Sequence, residues 1–317
     1  MLLRFRHIFF WFFLVFALLM VFALSLPFSQ SFAGSVLKID PDKQFDFAEY
    51  YFSSGEYFRA IGEYKRFIHF FPWDDRVELA MFKSGMSYFK SRRFNEAIDS
   101  FEKLIDRYGD TALSMRSYVM ISECYMGLKK AGPAISSLHN LITITDDVSV
   151  KDEAYYRIGW IYLEMASWEK ADLCFKKVSI QNRKKYRLKR LTVELNKEKL
   201  IPRKNPVLAG FLSAIPGAGY VYCERYQDGL IAFLLNCGLM WAAYESFDNG
   251  NNALGGIIAL VELGFYAGNI YGATTSAHKY NRTNTTQFIE KLKKNTKVSL
   301  SLGDKNEGIA LCLRYLF

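Results

Sequence analysis

Residues 85–101 read Gly-Met-Ser-Tyr-Phe-Lys-Ser-Arg-Arg-Phe-Asn-Glu-Ala-Ile-Asp-Ser-Phe, and the pattern of this stretch recurs along the chain. Its alanine, Ala97, belongs to a set of four that are spaced 37 residues apart. Three further columns keep the same register: a small residue 12 positions before each alanine, a tyrosine nine before it, and Tyr, Phe or Leu four after it. The columns are Ala60, Ala97, Ala134 and Ala171; Ala48, Gly85, Ser122 and Gly159; Tyr51, Tyr88, Tyr125 and Tyr162; and Tyr64, Phe101, Leu138 and Phe175.

This fixed period predicts a helical solenoid. Positions in each unit are counted from residues 41, 78, 115 and 152. Small residues at the eighth and twentieth positions allow two antiparallel helices to approach closely, and the Tyr and Phe-like residues fill the space beside that contact. Since no single unit can bury its apolar face alone, neighbouring units must stack. We therefore expect an all-α fold with four helix–turn–helix units over residues 41–180.

The units resemble the tetratricopeptide repeat family, and residues 85–101 are the clearest copy. The resemblance implies a solenoid that binds a protein or peptide. The period of 37 residues exceeds the usual period of about 34. This longer spacing resembles the envelope-localised tetratricopeptide proteins of Gram-negative bacteria, which act in outer-membrane assembly and cell-division coordination. The first unit carries the motif through Phe47, Ala48, Tyr51, Gly55, Tyr57, Ala60, Tyr64 and Pro72.

A partner-binding groove is expected on the side formed by the first helix of each unit, whose positions 5, 9 and 12 point inward in such repeats. These positions are aromatic and Met-rich with two carboxylates, which suits an amphipathic helix or an extended apolar peptide. The Lys, Asn and Arg set with which some family members clamp a C-terminal carboxylate is absent. The alternative is that several of these side chains pack between repeats. The candidates are Phe45, Glu49, Phe52, Phe82, Met86, Phe89, Val119, Glu123, Met126, Tyr156, Trp160 and Leu163.

The N-terminus predicts an exported protein. Arg4 and Arg6 precede an uncharged apolar run from Ile8 to Leu26, and Ser31-Phe-Ala33 follows as a cleavage signal. These parts make residues 1–33 a secretory signal peptide, with an uncleaved anchor as the alternative because the run is long. No cysteine follows the run until Cys124, so lipid attachment has no acceptor there. We expect the repeats to lie in the periplasm.

The cysteines and histidines predict neither a disulfide framework nor a metal site. Five Cys is an odd number without a CxxC pair, and the four His are scattered. Cys124 and Cys174 fall inside the repeats, where small buried apolar side chains are expected. No nucleophile–base or phosphate-loop arrangement is present, so the sequence predicts a protein that is not an enzyme and has no cofactor.

Residues 181–204 form a basic connector, which accounts for most of the net charge of +9. Within residues 183–204 ten basic and two acidic side chains give +8. Leu188, Leu191 and Leu195 recur at helical spacing, so this segment is expected to be a helix that closes the solenoid. Nucleic acid is a poor candidate partner, because the segment is expected to be exported and lacks a known nucleic-acid-binding fold. Anionic lipid head groups are a better candidate, since each basic residue near a membrane surface contributes about 1 kcal/mol of binding free energy. A solvated helix cap is the alternative. The candidate lipid-surface residues are Arg183, Lys184, Lys185, Arg187, Lys189 and Arg190.

Residues 205–278 form an apolar module with one basic residue and five acidic ones. Its three apolar stretches, residues 206–222, 230–244 and 253–277, predict two membrane helices preceded by a re-entrant or interfacial segment. The run Pro216-Gly217-Ala-Gly219 resembles the loop of small bacterial membrane modules of the TM2-like and DUF5683-like kind. Polar residues inside such a module should point inward. The candidate module residues are Pro216, Gly217, Gly219, Asn236, Glu262 and Asn269.

Residues 279–317 are expected to form a basic tail with a β-hairpin, because residues 298–302 and 309–317 alternate around a turn-rich loop. If the repeats are exported and two helices cross, the connector and the tail lie outside, against the positive-inside rule. A hairpin that lies in the membrane removes this conflict. The sequence leaves open whether the membrane is the inner or the outer one.

Two functions fit these patterns. The first is a non-enzymatic, membrane-attached periplasmic scaffold that binds a peptide or partner protein in envelope assembly. The second is a component of a transporter or channel, in which Asn236, Glu262 and Asn269 form a polar path and the repeats act as a receptor.

Overall fold

The computed structural model describes residues 39–296, 301–302 and 311–312. The predicted signal peptide, residues 1–33, and most of the predicted C-terminal hairpin lie outside the described residues.

Between residues 41 and 177, eight α-helices form four successive pairs, and each helix packs against the next along the chain. The prediction of an all-α solenoid is confirmed. The helices are α1 (Pro41–Ser53) and α2 (Tyr57–Phe70); α3 (Val77–Lys90) and α4 (Phe94–Tyr108); α5 (Ala112–Gly127) and α6 (Ala131–Ile144); and α7 (Val148–Glu164) and α8 (Trp168–Lys177).

Three of the four first helices begin at a capping side chain. Asp40, Thr111 and Asp147 each accept a hydrogen bond from a backbone N–H two or three residues later, at 2.9, 3.2 and 2.6 Å. These oxygens satisfy donors that have no partner inside the helix. The first helices of repeats 1, 3 and 4 therefore start directly after a polar side chain that caps them.

The turn inside each pair adopts the same backbone conformation in all four repeats. Gly55, Arg92, Lys129 and Ala166 follow at 37-residue intervals, with φ angles of 79°, 60°, 59° and 55°. This left-handed conformation costs a non-glycine residue about 1–2 kcal/mol. Only the first repeat places glycine there, so helix packing must outweigh turn strain in the other three.

The regular spacing of small residues along the repeats sets how closely the paired helices approach each other. The four alanines of the column are completely buried. A Cβ added to Gly85 would lie 2.6 Å from the ring of Phe101, and one added to Gly159 would lie 2.4 Å from the ring of Phe175. The aromatic ring at position 24 thus packs directly on the backbone at position 8, as the sequence pattern predicts.

We expect Gly159→Ala to lower the free energy of unfolding by about 1–3 kcal/mol, because the added methyl overlaps the Phe175 ring in a packed core. The matched control is Gly62→Ala in α2, where nothing lies within 4 Å of the added Cβ. That substitution should raise stability by about 0.5–1 kcal/mol, since Ala favours a helix over Gly. Denaturant unfolding of the detergent-solubilised full chain measures both. Equal effects would contradict the close approach.

The basic connector contains a shorter helix than the sequence predicts. Helix α9 covers only Leu188–Leu195, between 3₁₀ turns at Ile180–Asn182 and Asn196–Leu200. Arg187 has a φ of 52°, a left-handed conformation that no helix can run through. The leucine face of α9 and the fully buried Tyr186 nevertheless pack on the last repeat, so this segment covers the C-terminal end of the solenoid.

The apolar module consists of two short helices followed by a long antiparallel pair. The break between the short helices contains the Pro-Gly-Ala-Gly run, and a three-residue turn joins the long helices. The two long apolar helices are present as predicted, and a re-entrant or interfacial role of the preceding segment stays a prediction. The helices are α10 (Pro206–Leu212), α11 (Ala218–Tyr222), α12 (Tyr226–Asp248) and α13 (Asn252–Thr296).

Helix α13 continues without a break past residue 278, where the sequence predicts a separate tail, and returns to the solenoid. Its Leu292 joins the buried cluster of the last repeat, and Phe288 packs edge-on against Trp168 at 5.7 Å between ring centroids. Lys293 forms an ion pair with Glu164 of α7. One helix of 45 residues therefore belongs to both the apolar module and the end of the solenoid.

Two two-residue strands, β1 (Ser301–Leu302) and β2 (Leu311–Cys312), pair antiparallel beyond α13, with Leu302 opposite Leu311. The other residues of the predicted hairpin lie outside the described residues, so its extent stays a prediction.

Candidate functional site

Six of the candidate groove residues lie in the solenoid core. Phe45, Phe82 and Tyr156, at position 5, each pack against the ring at position 24 of their own repeat, with centroids 6.1, 5.6 and 6.0 Å apart. Trp160 belongs to the buried cluster that also contains α9. The prediction that these residues face an open groove is therefore corrected. The six buried residues are Phe45, Phe82, Val119, Tyr156, Trp160 and Leu163.

The two candidate carboxylates of the inner face, the surface formed by the first helices, are paired with the next repeat. Glu49 lies 3.1 Å from the Lys83 ammonium, and Glu123 lies 2.7 Å from the Arg157 guanidinium. Each pair joins position 9 of one repeat to position 6 of the next. Because the charges are compensated, these carboxylates stabilise repeat stacking, and we do not expect them to select a basic ligand.

A narrow apolar strip remains on the inner face beside these ion pairs. Its four members are partly buried, and the Lys83 ammonium lies 4.6 Å from the ring centroid of Phe52. Such a strip can contact a helix or an extended peptide through small apolar anchors. The strip residues are Phe52, Met86, Phe89 and Met126.

The N-terminal edge of the solenoid is a more exposed apolar surface that sequence reasoning missed. Positions 7 and 10 of a first helix face the preceding repeat. In repeats 2–4 all six residues at these positions are buried; they are Ser84, Ser87, Ile121, Cys124, Ile158 and Ile161. In the first repeat the same positions are Phe47 and Tyr50, which are 45% and 60% exposed.

The two ends of the solenoid therefore differ. At the C-terminal end, α9 and the last turns of α13 cover the final repeat. At the N-terminal end, no described residue covers Phe47 and Tyr50, and Phe47 stacks only edge-on against Tyr51 at 4.7 Å. Terminal repeats normally present a polar outer face. The column of residues at positions 7 and 10, compared across repeats, is the sequence signal for this edge.

The glycine loop, residues 213–219, is held by two side chains of α13. Asn269 accepts a hydrogen bond from Gly217 N–H at 3.2 Å and donates one to the Ser213 carbonyl at 2.9 Å. Tyr266 donates its hydroxyl hydrogen to the Ala214 carbonyl at 3.0 Å. Broken helices expose backbone groups that an apolar setting leaves unsatisfied. Asn269 thus closes the loop, and both ends of its amide are occupied.

The buried face between α12 and α13 is polar or small, whereas the outside of the pair is apolar. Asn236, Glu262 and Asn269 are 1%, 7% and 4% exposed. They are turned inward, as expected for polar groups in an apolar module. A cleft of about 460 Å³ runs beside this face, from Asp228 near the start of α12 past Asn236. Asn236 and Asn269 line this cleft, so the predicted polar path of Asn236, Glu262 and Asn269 stays a prediction.

A sequence profile of the tetratricopeptide repeat family matches residues 79–111 and 153–180, which lie in the second and fourth repeats. This chain contains tetratricopeptide repeats. No curated protein sequence matches it significantly.

Several solved structures are similar to this chain. MamA from Desulfovibrio magneticus RS-1 is 16% identical over 44% of this chain and 73% of its own, with a TM-score of 0.36. A tetratricopeptide repeat protein from Parabacteroides merdae is 14% identical over 80% and 98%, with a TM-score of 0.40. Aspartyl phosphate phosphatase F from Bacillus subtilis is 13% identical over 71% and 59%, with a TM-score of 0.41.

Tetratricopeptide repeats commonly bind protein or peptide partners along their extended surfaces. In this chain, the inner strip and the N-terminal edge are two apolar surfaces formed by the first helices of the repeats. Cys124 and Cys174 are buried beside these repeats, and burial raises the pKa of the Cys124 thiol to about 12. Within residues 39–296, no group of three or more His, Cys, Asp or Glu side chains could hold a metal.

The basic residues of the connector have mixed roles. Arg183 donates to the carbonyls of Lys176 and Val178 at 3.1 and 3.2 Å, so it caps the C-terminus of α8. Lys185 and Arg187 are partly buried, whereas Lys184, Lys189 and Arg190 are exposed. A lipid-surface role therefore rests mainly on the exposed residues and stays a prediction.

Proposed function

We propose that this protein is a non-enzymatic scaffold whose tetratricopeptide repeats bind a partner protein or peptide, while its apolar module attaches the repeats to a membrane of the bacterial envelope. The observation that carries this proposal is helix α13. It continues from the apolar pair into the buried cluster of the last repeat. A membrane that binds the apolar module would therefore also keep the repeats at its surface.

The surface of the long pair supports membrane attachment. Helices α12 and α13 are long and apolar enough to cross a bilayer, and only 11% and 17% of their most apolar windows are buried. A core helix of a soluble protein would be mostly buried. Large exposed apolar patches on soluble monomers are rare. The outward residues include Leu234, Trp241, Ile257, Leu260, Leu263 and Tyr271.

A periplasmic position of the repeats is part of the proposal. It rests on the signal-peptide pattern of residues 1–33, which predicts export of the residues that follow. Envelope assembly as the process rests on the longer repeat period and its resemblance to envelope-localised repeat proteins. The partner is a protein or peptide with apolar side chains, because the inner strip and the N-terminal edge offer apolar contacts.

Fractionation of inner from outer membranes, combined with protease treatment of a tag placed after Phe317, tests the proposal. We expect the full chain in a membrane fraction that resists alkaline extraction. Because the end of α13 packs against the last repeat, we expect the tag on the same side of the membrane as the repeats, and a tag protected on the opposite side would contradict this arrangement. Recovery in the outer membrane would favour envelope assembly there. A chain that stays in the soluble fraction would overturn membrane attachment.

We expect the double substitution Phe47→Ser and Tyr50→Ser to reduce partner capture at least about tenfold, the loss of about 1.4 kcal/mol of binding free energy. These serines reproduce Ser84 and Ser87, the residues at the same positions of the second repeat. Stability should change little, because both aromatic side chains are exposed. The measurement is in-cell crosslinking followed by quantitation of each crosslinked protein.

The matched control is Phe58→Ser, which removes an aromatic side chain that is 79% exposed on α2, away from the edge. If the edge variant and this control retain the same crosslinked proteins as the unmodified chain, the N-terminal edge is not a binding surface.

A further inference from the structure

The buried residues of α12 and α13 form an antiparallel seam with a seven-residue repeat. Those of α12 are Gly229, Asn236 and Ala243, and those of α13 before residue 270 are Gly255, Glu262 and Asn269. A seven-residue repeat keeps one face of a helix against its neighbour. The two series run in opposite directions from the turn that joins the helices. Residues at equal distances from this turn therefore lie opposite each other in three layers: Ala243 with Gly255, Asn236 with Glu262, and Gly229 with Asn269.

Contacts at the two ends of the pair support this register. Near the turn, Gly255 lies against the Phe247 ring, where an added Cβ would come within 2.8 Å. At the other end, the glycine loop touches both helices, because Gly217 lies beside Gly229 and donates its N–H to Asn269. The middle layer therefore brings Asn236 and Glu262 opposite each other.

This middle layer has acceptors without a donor. Asn236 donates its Nδ2 hydrogen to the Ala232 carbonyl at 2.7 Å, which leaves its Oδ1 without a partner. Both carboxyl oxygens of Glu262 are buried and also have no hydrogen-bond partner among the described residues. Three oxygens that can only accept are thus enclosed together if Glu262 is ionised.

No basic side chain on the surrounding helices compensates a charge on Glu262. Residues 206–223, 226–248 and 252–277 contain no Lys, Arg or His. Arg225 lies at the end of the pair and is engaged by Asp228 and Ser276, at 2.7 and 2.8 Å. A buried carboxylate with neither a cation nor a donor is strongly disfavoured. Apart from Glu262 and the tyrosines, the ionisable side chains of these segments are Asp228, Glu245, Asp248, Cys223 and Cys237.

We infer that Glu262 is a proton-binding site, held as a neutral carboxylic acid whose O–H donates to Oδ1 of Asn236. One proton converts an acceptor into the donor that the layer lacks. The cleft beside Asn236 leads to Asp228, about two turns of helix away. The inference depends on this buried layer, and it holds whether lipid or protein covers the outside of the module.

Infrared spectroscopy of the full chain in detergent at pH 7 tests this inference. We expect a carbonyl stretch of a protonated carboxylic acid that Glu262→Gln abolishes. Glu245→Gln, which alters an exposed carboxyl near the end of α12, should leave the band unchanged. Asn236→Leu should retain the band but shift it, because the acid loses its acceptor. A purely structural role for Asn236 would not move the band.

An acid band of equal size in the unmodified chain and in a folded Glu262→Gln variant would overturn the inference. If that variant does not fold, the unmodified chain is treated at pH 7 with a hydrophobic carbodiimide, which reacts with protonated carboxylic acids. Mass spectrometry of its peptides then shows which carboxyl groups were modified. Modification of Glu262 without modification of Glu245 supports the proton site, and an unmodified Glu262 contradicts it. Membrane fractionation reports separately on the proposed scaffold, so either proposal can fail alone.

Discussion

Alanine in place of Gly217 or Gly219 is expected to prevent the apolar module from folding, a loss of about 4 kcal/mol or more. Gly217 has a φ of 82°, and an added Cβ would lie 2.1 Å from the carbonyl oxygen of Gly229. A Cβ on Gly219 would lie 2.2 Å from the carbonyl oxygen of Ala209. Backbone atoms cannot move aside as the end of a side chain can, so the loop must leave its position.

Two other glycines separate conformational strain from overlap. Gly250 has a φ of 76° but nothing within 4 Å of an added Cβ, so Gly250→Ala should cost only about 1–2 kcal/mol. Gly238 lies in α12 with open space around it, and Gly238→Ala should stabilise by about 0.5–1 kcal/mol. If Gly217→Ala and Gly219→Ala are much less stable than Gly250→Ala and Gly238→Ala, the overlap with backbone atoms causes the loss of stability. Replacement of a glycine by itself does not.

Cys223 provides the readout, because its side chain is 3% exposed beside the glycine loop. In the unmodified chain in detergent, its thiol should resist alkylation by a water-soluble maleimide. In Gly217→Ala and Gly219→Ala it should react as fast as in the denatured chain, measured by mass spectrometry of the peptide. Protection of Cys223 in both variants would contradict the loop packing.

The repeats were predictable from the sequence because their defining contacts lie within one unit. Gly159 and Phe175 are 16 residues apart, and they meet because one turn reverses the chain between two helices. Such a contact depends only on local spacing, so a column of small residues and a column of rings reveal it. The positive φ of Ala166 left no comparable signal, because its residue type differs from that of Gly55 at the same position.

The surfaces were less predictable because they depend on what covers each repeat. Position 9 is a half-buried Met86 in the second repeat and a buried Trp160 in the fourth, where the C-terminal cap covers it. A rule that assigns groove-facing positions within one repeat cannot account for residues 186–195 and 288–292, which lie outside the repeats and cover the last of them. The exposed Phe47 was missed for the converse reason, since a preceding repeat is absent among the described residues.

Composition predicted the apolar module but not the end of its last helix. The charge changes near residue 278, yet the backbone of α13 continues to Thr296. Helical spacing of Phe288, Ile289 and Leu292 is the local signal for that continuation, and it was overshadowed by the surrounding lysines. Lys291 and Lys294 stay in solvent and Lys293 pairs with Glu164, while the apolar residues turn toward the last repeat.

We expect Leu263→Asp to remove most of the chain from the membrane fraction. Leu263 lies near the middle of the apolar part of α13 and is 65% exposed. If lipid covers this face, an aspartate there costs about 2.5–3.5 kcal/mol. If water covers it, the same change should fall within about 0.5 kcal/mol and improve solubility. The sign of the effect therefore distinguishes lipid from water, which no comparison of sequences can do here.

The matched control is Leu173→Asp, because Leu173 is 59% exposed on α8 of the last repeat, where we expect water. The amount of full chain that resists alkaline extraction, measured for both variants in the same cells, gives the result. Loss with Leu263→Asp alone identifies a lipid-facing surface on α13, since both variants exchange the same exposed residue for the same charge. Equal retention of the two would show that water reaches the outside of the apolar pair, and the exposed leucines would then need a protein partner to cover them.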